Sequence, residues 1–274
     1  MSVNGGRRLT PPHPSPCPPP PPPPHPSSHD QAPQTHARVA GLDAVLCDLD
    51  DTLYPQQAWL DGAWQAVAAT GARYGIDEGA FLAALRADAA QGSGRGGIID
   101  RALAAVGFGT AGCVGTDVHS SLLTAFRGHR PVRLEPYPGV RAALARLRMA
   151  GVRLAVVTDG EVAVQEWKMR ALGIGAFFDT VVVSDALGGR QCRKPHAAPF
   201  REALKELGVR PERCVVVGDR PEKDVIGAAR VDIRAIRVKT GEYSAVPDPP
   251  GVWHSAADFP AAVDWLLEAE SACR

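Results

Sequence analysis

Asp48, Asp50 and Asp51 crowd the carboxyl side of a short apolar run, Ala44 to Cys47. Like charges this close raise one another's pKa. The cluster is therefore costly unless a divalent cation neutralises it or a reaction uses it. Asp48 has the chemistry of a nucleophile or a metal ligand. Asp50 can act as general acid and base if its neighbours raise its pKa. Asp219 and Asp224 add oxygen ligands, and oxygen-only ligation suits Mg2+. Lys194 supplies a fixed positive charge and Thr158 a hydroxyl donor. A cation, a lysine and a hydroxyl around a carboxylate would stabilise charge on a transferring phosphoryl group. A carboxylate attacking phosphorus gives an acyl phosphate, which divides the reaction into two steps. Taken alone, the acids also fit an N-cap or an acidic turn leaving a strand.

These groups are scattered along the chain, so the fold must gather them. Ala44–Cys47, Leu154–Val157, Thr180–Val183, Cys214–Val217 and Ala235–Val238 read as short buried strands. Helices are expected over Gly139–Ala150, Val162–Leu172, Ala197–Leu207 and Val225–Arg230, with a last one through Ala261, Val263, Leu266 and Leu267. Gly173 and Gly208 serve as stops. Alternating strands and helices make an α/β fold, a Rossmann-like doubly wound parallel sheet with helices on both faces. Such sheets bind ligands beyond the carboxyl ends of their strands. Asp48, Thr158, Lys194 and Asp219 each follow a strand, so all should meet on one edge.

Between Pro55 and Pro136 the strand pattern stops. Trp59, Trp64, Val67 and Ala68 recur at helical spacing, and further helices run through Phe81 and Leu85, Ile98 to Val106, and Val118 to Phe126. Residues 55–136 are thus an all-helical insertion, with 38–54 and 137–274 as the core. Its Gly92–Gly97 stretch reads as a flexible loop around Arg95. Trp59 and Trp64 are expected in the insertion's own core. Arg95, His119, Arg127 and His129 are candidates to face a substrate, though none is assigned to the site.

Residues 1–37 hold an unbroken run from Pro18 to Pro24 and read as a disordered polyproline tail. It is either a dispensable extension or a segment for a weak proline-recognising partner. Across 274 residues the formal net charge is zero, with 45% hydrophobic and 22% charged residues. That balance gives no electrostatic case for nucleic acid or an anionic membrane surface. No apolar run approaches the roughly 18 residues needed to span a bilayer. None of the six cysteines forms a C-x-x-C pair, so a zinc site and a disulfide scaffold are both disfavoured, and a reducing cytoplasm is expected.

Asp48-Leu-Asp-Asp-Thr-Leu-Tyr54, Val157-Thr-Asp-Gly160, Arg193-Lys-Pro195 and Gly218-Asp-Arg-Pro-Glu-Lys-Asp224 resemble the four ordered motifs of the haloacid dehalogenase superfamily of phosphatases. The helical insertion resembles the C1-type cap of its subfamily I. The resemblance implies Asp48 as nucleophile, Asp50 as general acid/base, and Thr158 and Lys194 on the phosphoryl oxygens. It implies Mg2+ held by the Asp48 side chain, the Asp50 carbonyl and Asp219, with Asp224 nearby. The carboxylate at Asp50 favours phosphate esters over haloacids, because an alkoxide leaving group needs a proton and a halide does not. The insertion contains no lysine, which argues against a Schiff-base phosphonate cleavage. The expected function is Mg2+-dependent hydrolysis of a small phosphorylated metabolite through an aspartyl phosphate. A sugar-phosphate mutase on the same core is the alternative, as is an inactive binding protein. The Ser184 to Lys194 loop looks longer than usual for the family, and the substrate itself is not legible.

Overall fold

The computed structural model describes residues 41–108 and 116–271. The proline tail, with its histidines, and Cys17, Cys113 and Cys273 lie outside the described residues.

Six strands form one parallel sheet in the order β3-β2-β1-β4-β5-β6. They are β1 (Ala44–Cys47), β2 (Arg153–Thr158), β3 (Thr180–Val183), β4 (Cys214–Gly218), β5 (Arg234–Val238) and β6 (Val252–Ala256). Alternate residues of the central strands feed two cores. Val45, Cys47, Leu154, Val156, Val215 and Val217 face one; Ala44, Leu46, Ala155, Val157 and Val216 face the other. Both faces being covered is why these strands read as continuous apolar runs rather than alternating ones. On the first face lie α5 (Val140–Met149), α6 (Val162–Leu172) and α9 (Phe259–Ser271). On the second lie α7 (Ala198–Leu207) and the short α8 (Gly227–Ala229), reached through a wider π-type turn at Pro221–Ile226. That turn replaces the single helix expected over Val225–Arg230. Gly173 and Gly208 end α6 and α7 with φ of +59° and +62°, the left-handed conformation that glycine adopts without penalty.

The sequence reading missed β6. It pairs with β5 at the sheet edge and is half-buried over most of its length. Its residues, Val-Trp-His-Ser-Ala, mix apolar and polar side chains and so carry no buried-strand signature.

After β1 the chain makes α1 (Gln57–Ala72), α2 (Glu78–Ala89), α3 (Ile98–Ala105) and α4 (Thr116–Gly128) before returning to the sheet. α1 packs against α2 and α4, and α2 against α3. Their shared core holds Trp59, Trp64, Val67, Phe81, Leu85, Leu103 and Leu122. α2 starts where Asp77 accepts a bond from the Ala80 N–H at 2.7 Å, a side-chain cap on an orphan donor. No helix among the described residues is long and apolar enough to cross a membrane.

β1 is where the strand order reverses, since β2 and β3 lie on one side and β4, β5 and β6 on the other. In a doubly wound sheet this reversal opens a crevice at the carboxyl ends. Cys47 is level with Val156 and Val217, so the residues just beyond β1, β2 and β4 share one height.

Candidate active site

The fold gathers Asp48, Thr158, Lys194, Asp219 and Asp224 in that crevice, all buried. The Lys194 Nζ donates to Asp48 Oδ1 at 2.6 Å, to Asp224 Oδ1 at 2.7 Å and to the Val157 carbonyl at 3.0 Å. Burial opposes the lysine charge. Asp224, Asp48 and Asp159 outweigh it and hold the Lys194 pKa above the ordinary lysine range. Asp159 fixes the approach of this loop by accepting from the Lys194 backbone N–H at 3.0 Å, the Ser184 hydroxyl at 2.7 Å and Lys223 at 2.8 Å. The long loop before Lys194 is braced by Arg193, whose guanidinium meets both oxygens of Asp185 at 2.6 Å.

Among the described residues, Asp48, Asp219 and Asp224 bring carboxylate oxygens within 4.8 Å of one another. Burial pushes Asp48 up to about 6 against the pull of Lys194, with Asp224 and Asp50 adding to the rise. Burial also drives Asp219 well above the usual carboxylate range, with Asp48 and Asp224 reinforcing it. Asp219 Oδ2 is buried with no hydrogen-bond partner, an expensive arrangement for a carboxylate. A hard cation with oxygen ligands answers that cost, so the residues present fit Mg2+. Asp224 contributes least to such a site. One of its oxygens takes Lys194 and the other the Arg220 backbone N–H at 3.0 Å, so it chiefly holds the lysine and its own turn.

Asp50 departs from the sequence expectation. Its neighbours were to raise its pKa; instead it lies below the ordinary value. Burial does push upward, but the Lys168 ammonium and bonds from Lys168, Tyr54 and Gln165 prevail. Lys168 Nζ is 2.7 Å from Asp50 Oδ1, the Tyr54 hydroxyl donates to the same oxygen, and Gln165 Nε2 donates to Oδ2 at 3.0 Å. The Asp50 side chain is thus engaged by Lys168, Tyr54 and Gln165 and is not among the three carboxylates that cluster within 4.8 Å of one another. Asp51 has no part in the cluster. It turns the chain with φ of +58° and accepts the Gln56 N–H at 2.9 Å.

Thr158 closes β2 and is fully buried, its hydroxyl accepting from Gln165 Nε2 at 2.6 Å. Thr52 Oγ1 lies 3.4 Å from both Asp48 Oδ2 and Asp219 Oδ1. Gln165, Lys168, Tyr54 and Asp159 were not assigned roles from the sequence. The available signal was Gln165 and Lys168, one turn apart on an α6 face that also carries the buried Val164 and Met169. The insertion lacks lysine, yet Lys168 reaches the same cavity from the core side; its ion pair with Asp50 occupies the ammonium.

A cavity of about 430 Å3 lies over these groups, lined by Asp48, Asp50, Thr158 and Lys194 and, from the insertion, by Trp59, Trp64, Ile99, Leu123 and Phe126. Trp59 and Trp64 therefore both pack in the insertion, with Phe126 at 5.0 and 4.6 Å between ring centroids, and wall the cavity. His119 and Arg127 line it as well. Arg95 instead bonds Gln91 at 2.8 Å, and His129 packs against Trp59. The Gly92–Gly97 loop touches the core where the Ser93 hydroxyl lies 3.1 Å from both Arg220 and Glu242.

Residues 42–232 match the haloacid dehalogenase-like hydrolase family. The glyceraldehyde 3-phosphate phosphatase of Methanopyrus kandleri is 34% identical over 208 residues, 74% of this chain and 86% of that protein. The phosphoglycolate phosphatase of Rhodospirillum rubrum is 32% identical over 228 residues, 81% of this chain and 90% of that protein. A solved HAD phosphatase from Thermococcus onnurineus shares the fold, with a TM-score of 0.60 at 21% identity over 82% of this chain and 97% of that one. The family match runs from β1 through the insertion to α8 and takes in every acid gathered at the crevice, so the chain belongs to the haloacid dehalogenase-like hydrolases and is a phosphoric monoester hydrolase.

Proposed function

We propose that the chain hydrolyses a phosphate monoester of a small metabolite through an aspartyl phosphate on Asp48, with Mg2+ as cofactor. The observation that carries the reading is the buried Lys194 bonded to both Asp48 and Asp224 beside the unpartnered oxygen of Asp219. Asp48 and Asp219 would hold the ion by their side chains, Asp50 by its main-chain carbonyl, with Asp224 adjacent. Bound there, the ion neutralises charge on the phosphoryl oxygens. Lys194 and Thr158 grip those oxygens. An oxygen of Asp48 forms a bond to phosphorus as the ester P–O bond breaks, and Asp50 passes a proton to the leaving oxygen. Water then adds to phosphorus, Asp50 takes its proton, and inorganic phosphate leaves with Asp48 restored.

The four-helix insertion acts as a C1-type cap that walls the leaving-group side and excludes water during the first transfer. Two of the similar proteins named above are phosphatases of glyceraldehyde 3-phosphate and of phosphoglycolate, both small phosphorylated compounds, which supports the same substrate class here. The buried thiols Cys47 and Cys214 support a reducing, cytoplasmic setting. The test is a panel of phosphorylated metabolites with inorganic phosphate as readout. Asp48→Asn should end release, and thorough chelation should silence the wild type. Full activity in either case would remove the nucleophile or the metal from the mechanism.

A further inference from the structure

Two buried lysines divide the two central acids between them. Lys194 serves Asp48, and Lys168 serves Asp50. The second pair is not needed to explain the phosphoryl grip, and stability does not explain it either. A buried ion pair is commonly no better for the fold than apolar residues of the same volume, and α6 has apolar neighbours enough to supply them.

What the pair does provide is a fixed place for the Asp50 carboxylate. Its Oδ1 takes Lys168 and the Tyr54 hydroxyl; its Oδ2 takes Gln165. Lys168 and Gln165 are 3% and 2% exposed, so neither has slack. The Lys168 ammonium is further held 4.6 Å from the ring centroid of Trp59, which the cap helix α1 supplies. Gln165 makes the stronger geometric statement. Its amide nitrogen has two hydrogens, and it lies 2.6 Å from the Thr158 hydroxyl and 3.0 Å from Asp50 Oδ2. One side-chain amide therefore spaces the proposed phosphoryl-gripping hydroxyl from the proposed proton carrier.

We propose that Gln165 and Lys168 are positioning residues that hold the Asp50 carboxylate at a set distance from Thr158, and so govern proton delivery to the leaving oxygen. This rests on the phosphatase reading above. Neither residue touches the reacting atoms; Lys168 acts through Asp50, and Gln165 through Asp50 and Thr158.

The test separates positioning from mere structural support by varying the leaving group. kcat/KM reports the steps through the first phosphoryl transfer, in which only poor leaving groups need a proton. Purified Lys168→Met and Gln165→Met are assayed with Mg2+ on glycerol phosphate and on para-nitrophenyl phosphate, after thermal melts show which variants fold. The expected result is a loss of ~100-fold on the alkyl ester, in line with the usual share of general acid catalysis, with the nitrophenyl ester falling by less than about 5-fold because its phenolate leaves without a proton. An equal loss on both esters, or no loss on either, overturns the positioning role. Should Lys168→Met fail to fold, Gln165→Met decides, since it removes one amide and no charge. Failure of the underlying reading looks different: the wild type would release phosphate from neither ester, or Asp48→Asn would retain full release.

Discussion

Asp48→Asn is expected to stabilise the protein in the same stroke that ends turnover. Burial, together with Asp224 and Asp50, lifts Asp48 from its ordinary 3.8 to about 6 in spite of Lys194. At 1.36 kcal/mol per pH unit this rise is worth roughly 3 kcal/mol. The folded pKa lies above the unfolded one, so between those values the folded chain keeps a proton that the unfolded chain has released. That contribution is fully present below 3.8 and is lost as the pH climbs through about 6. At pH ~8 the wild type in EDTA carries the whole penalty, and asparagine, matched in shape, does not. The pull of Lys194 on the carboxylate is already counted in that net rise, and the asparagine amide oxygen can still accept from its ammonium. The net gain is therefore at most ~3 kcal/mol, and a domain of this size shifts by roughly 2–4 °C per kcal/mol. Calorimetric melts of both proteins at pH ~8 in EDTA should show the variant higher, and melts near pH ~4 should show the gap closing. Saturating Mg2+ should raise the wild type more than the variant. A variant that melts at or below the wild type at pH ~8 in EDTA would refute the claim that this acid is held against its preferred charge.

Lys194→Met should cost ~3–5 kcal/mol in urea unfolding, because it leaves Asp48 and Asp224 buried without their cation; a cost under about 1 kcal/mol would mean the pair is solvated. Gly218→Ala adds a Cβ that overlaps the Asp224 carboxyl group. Asp224 must then leave Lys194, so kcat should fall by at least ~10-fold and stability by about 1–3 kcal/mol, with unchanged kinetics counting against the Asp224 role. Asp219→Asn should weaken Mg2+ binding by roughly 10-fold or more, read by calorimetric titration, since it removes a charge from the oxygen that has no other partner. Equal affinity in that variant would move the ion elsewhere.

Much of the site was legible because its strands are central. β1 and β4 are buried on both faces, so each reads as an apolar run that breaks sharply at Asp48 and at Asp219. The rule for the carboxyl edge of a parallel sheet then gathers Thr158 and Lys194 with them. The insertion's helices were legible from apolar spacing, as with Trp59, Trp64 and Val67 on α1. β6 was not, because an edge strand that is half-buried carries Trp253, His254 and Ser255 rather than a valine run. Lys168 was not legible either. A lysine on a helix normally faces water, and its partner Asp50 is 118 residues away in the sequence. The direction of the Asp50 shift failed for the same reason. Its acidic neighbours are adjacent in the chain, while the cation that outweighs them arrives only through folding.

Asp48 and Asp50 stand two residues apart on the chain's path into the site, yet their surroundings move their protons in opposite directions. Divergent environments usually identify an acid and a base. Here the polarity is inverted with respect to the proposed roles. Asp48, the proposed nucleophile, is held up at about 6, so it is largely ionised at neutral pH but at a cost to the fold. Asp50, the proposed proton carrier to the leaving oxygen, is held down against its burial by Lys168. Both mismatches have the same remedy, which is charge brought by the reactants. A divalent cation on Asp48 and Asp219 favours their carboxylate forms. A phosphoryl dianion seated between Thr158 and Lys194 adds negative charge close to Asp50 and favours its protonated form. A monoester supplies that dianion and a diester does not. On the proposed mechanism, the charge a monoester brings would thus help protonate Asp50, before any steric fit in the cap is considered.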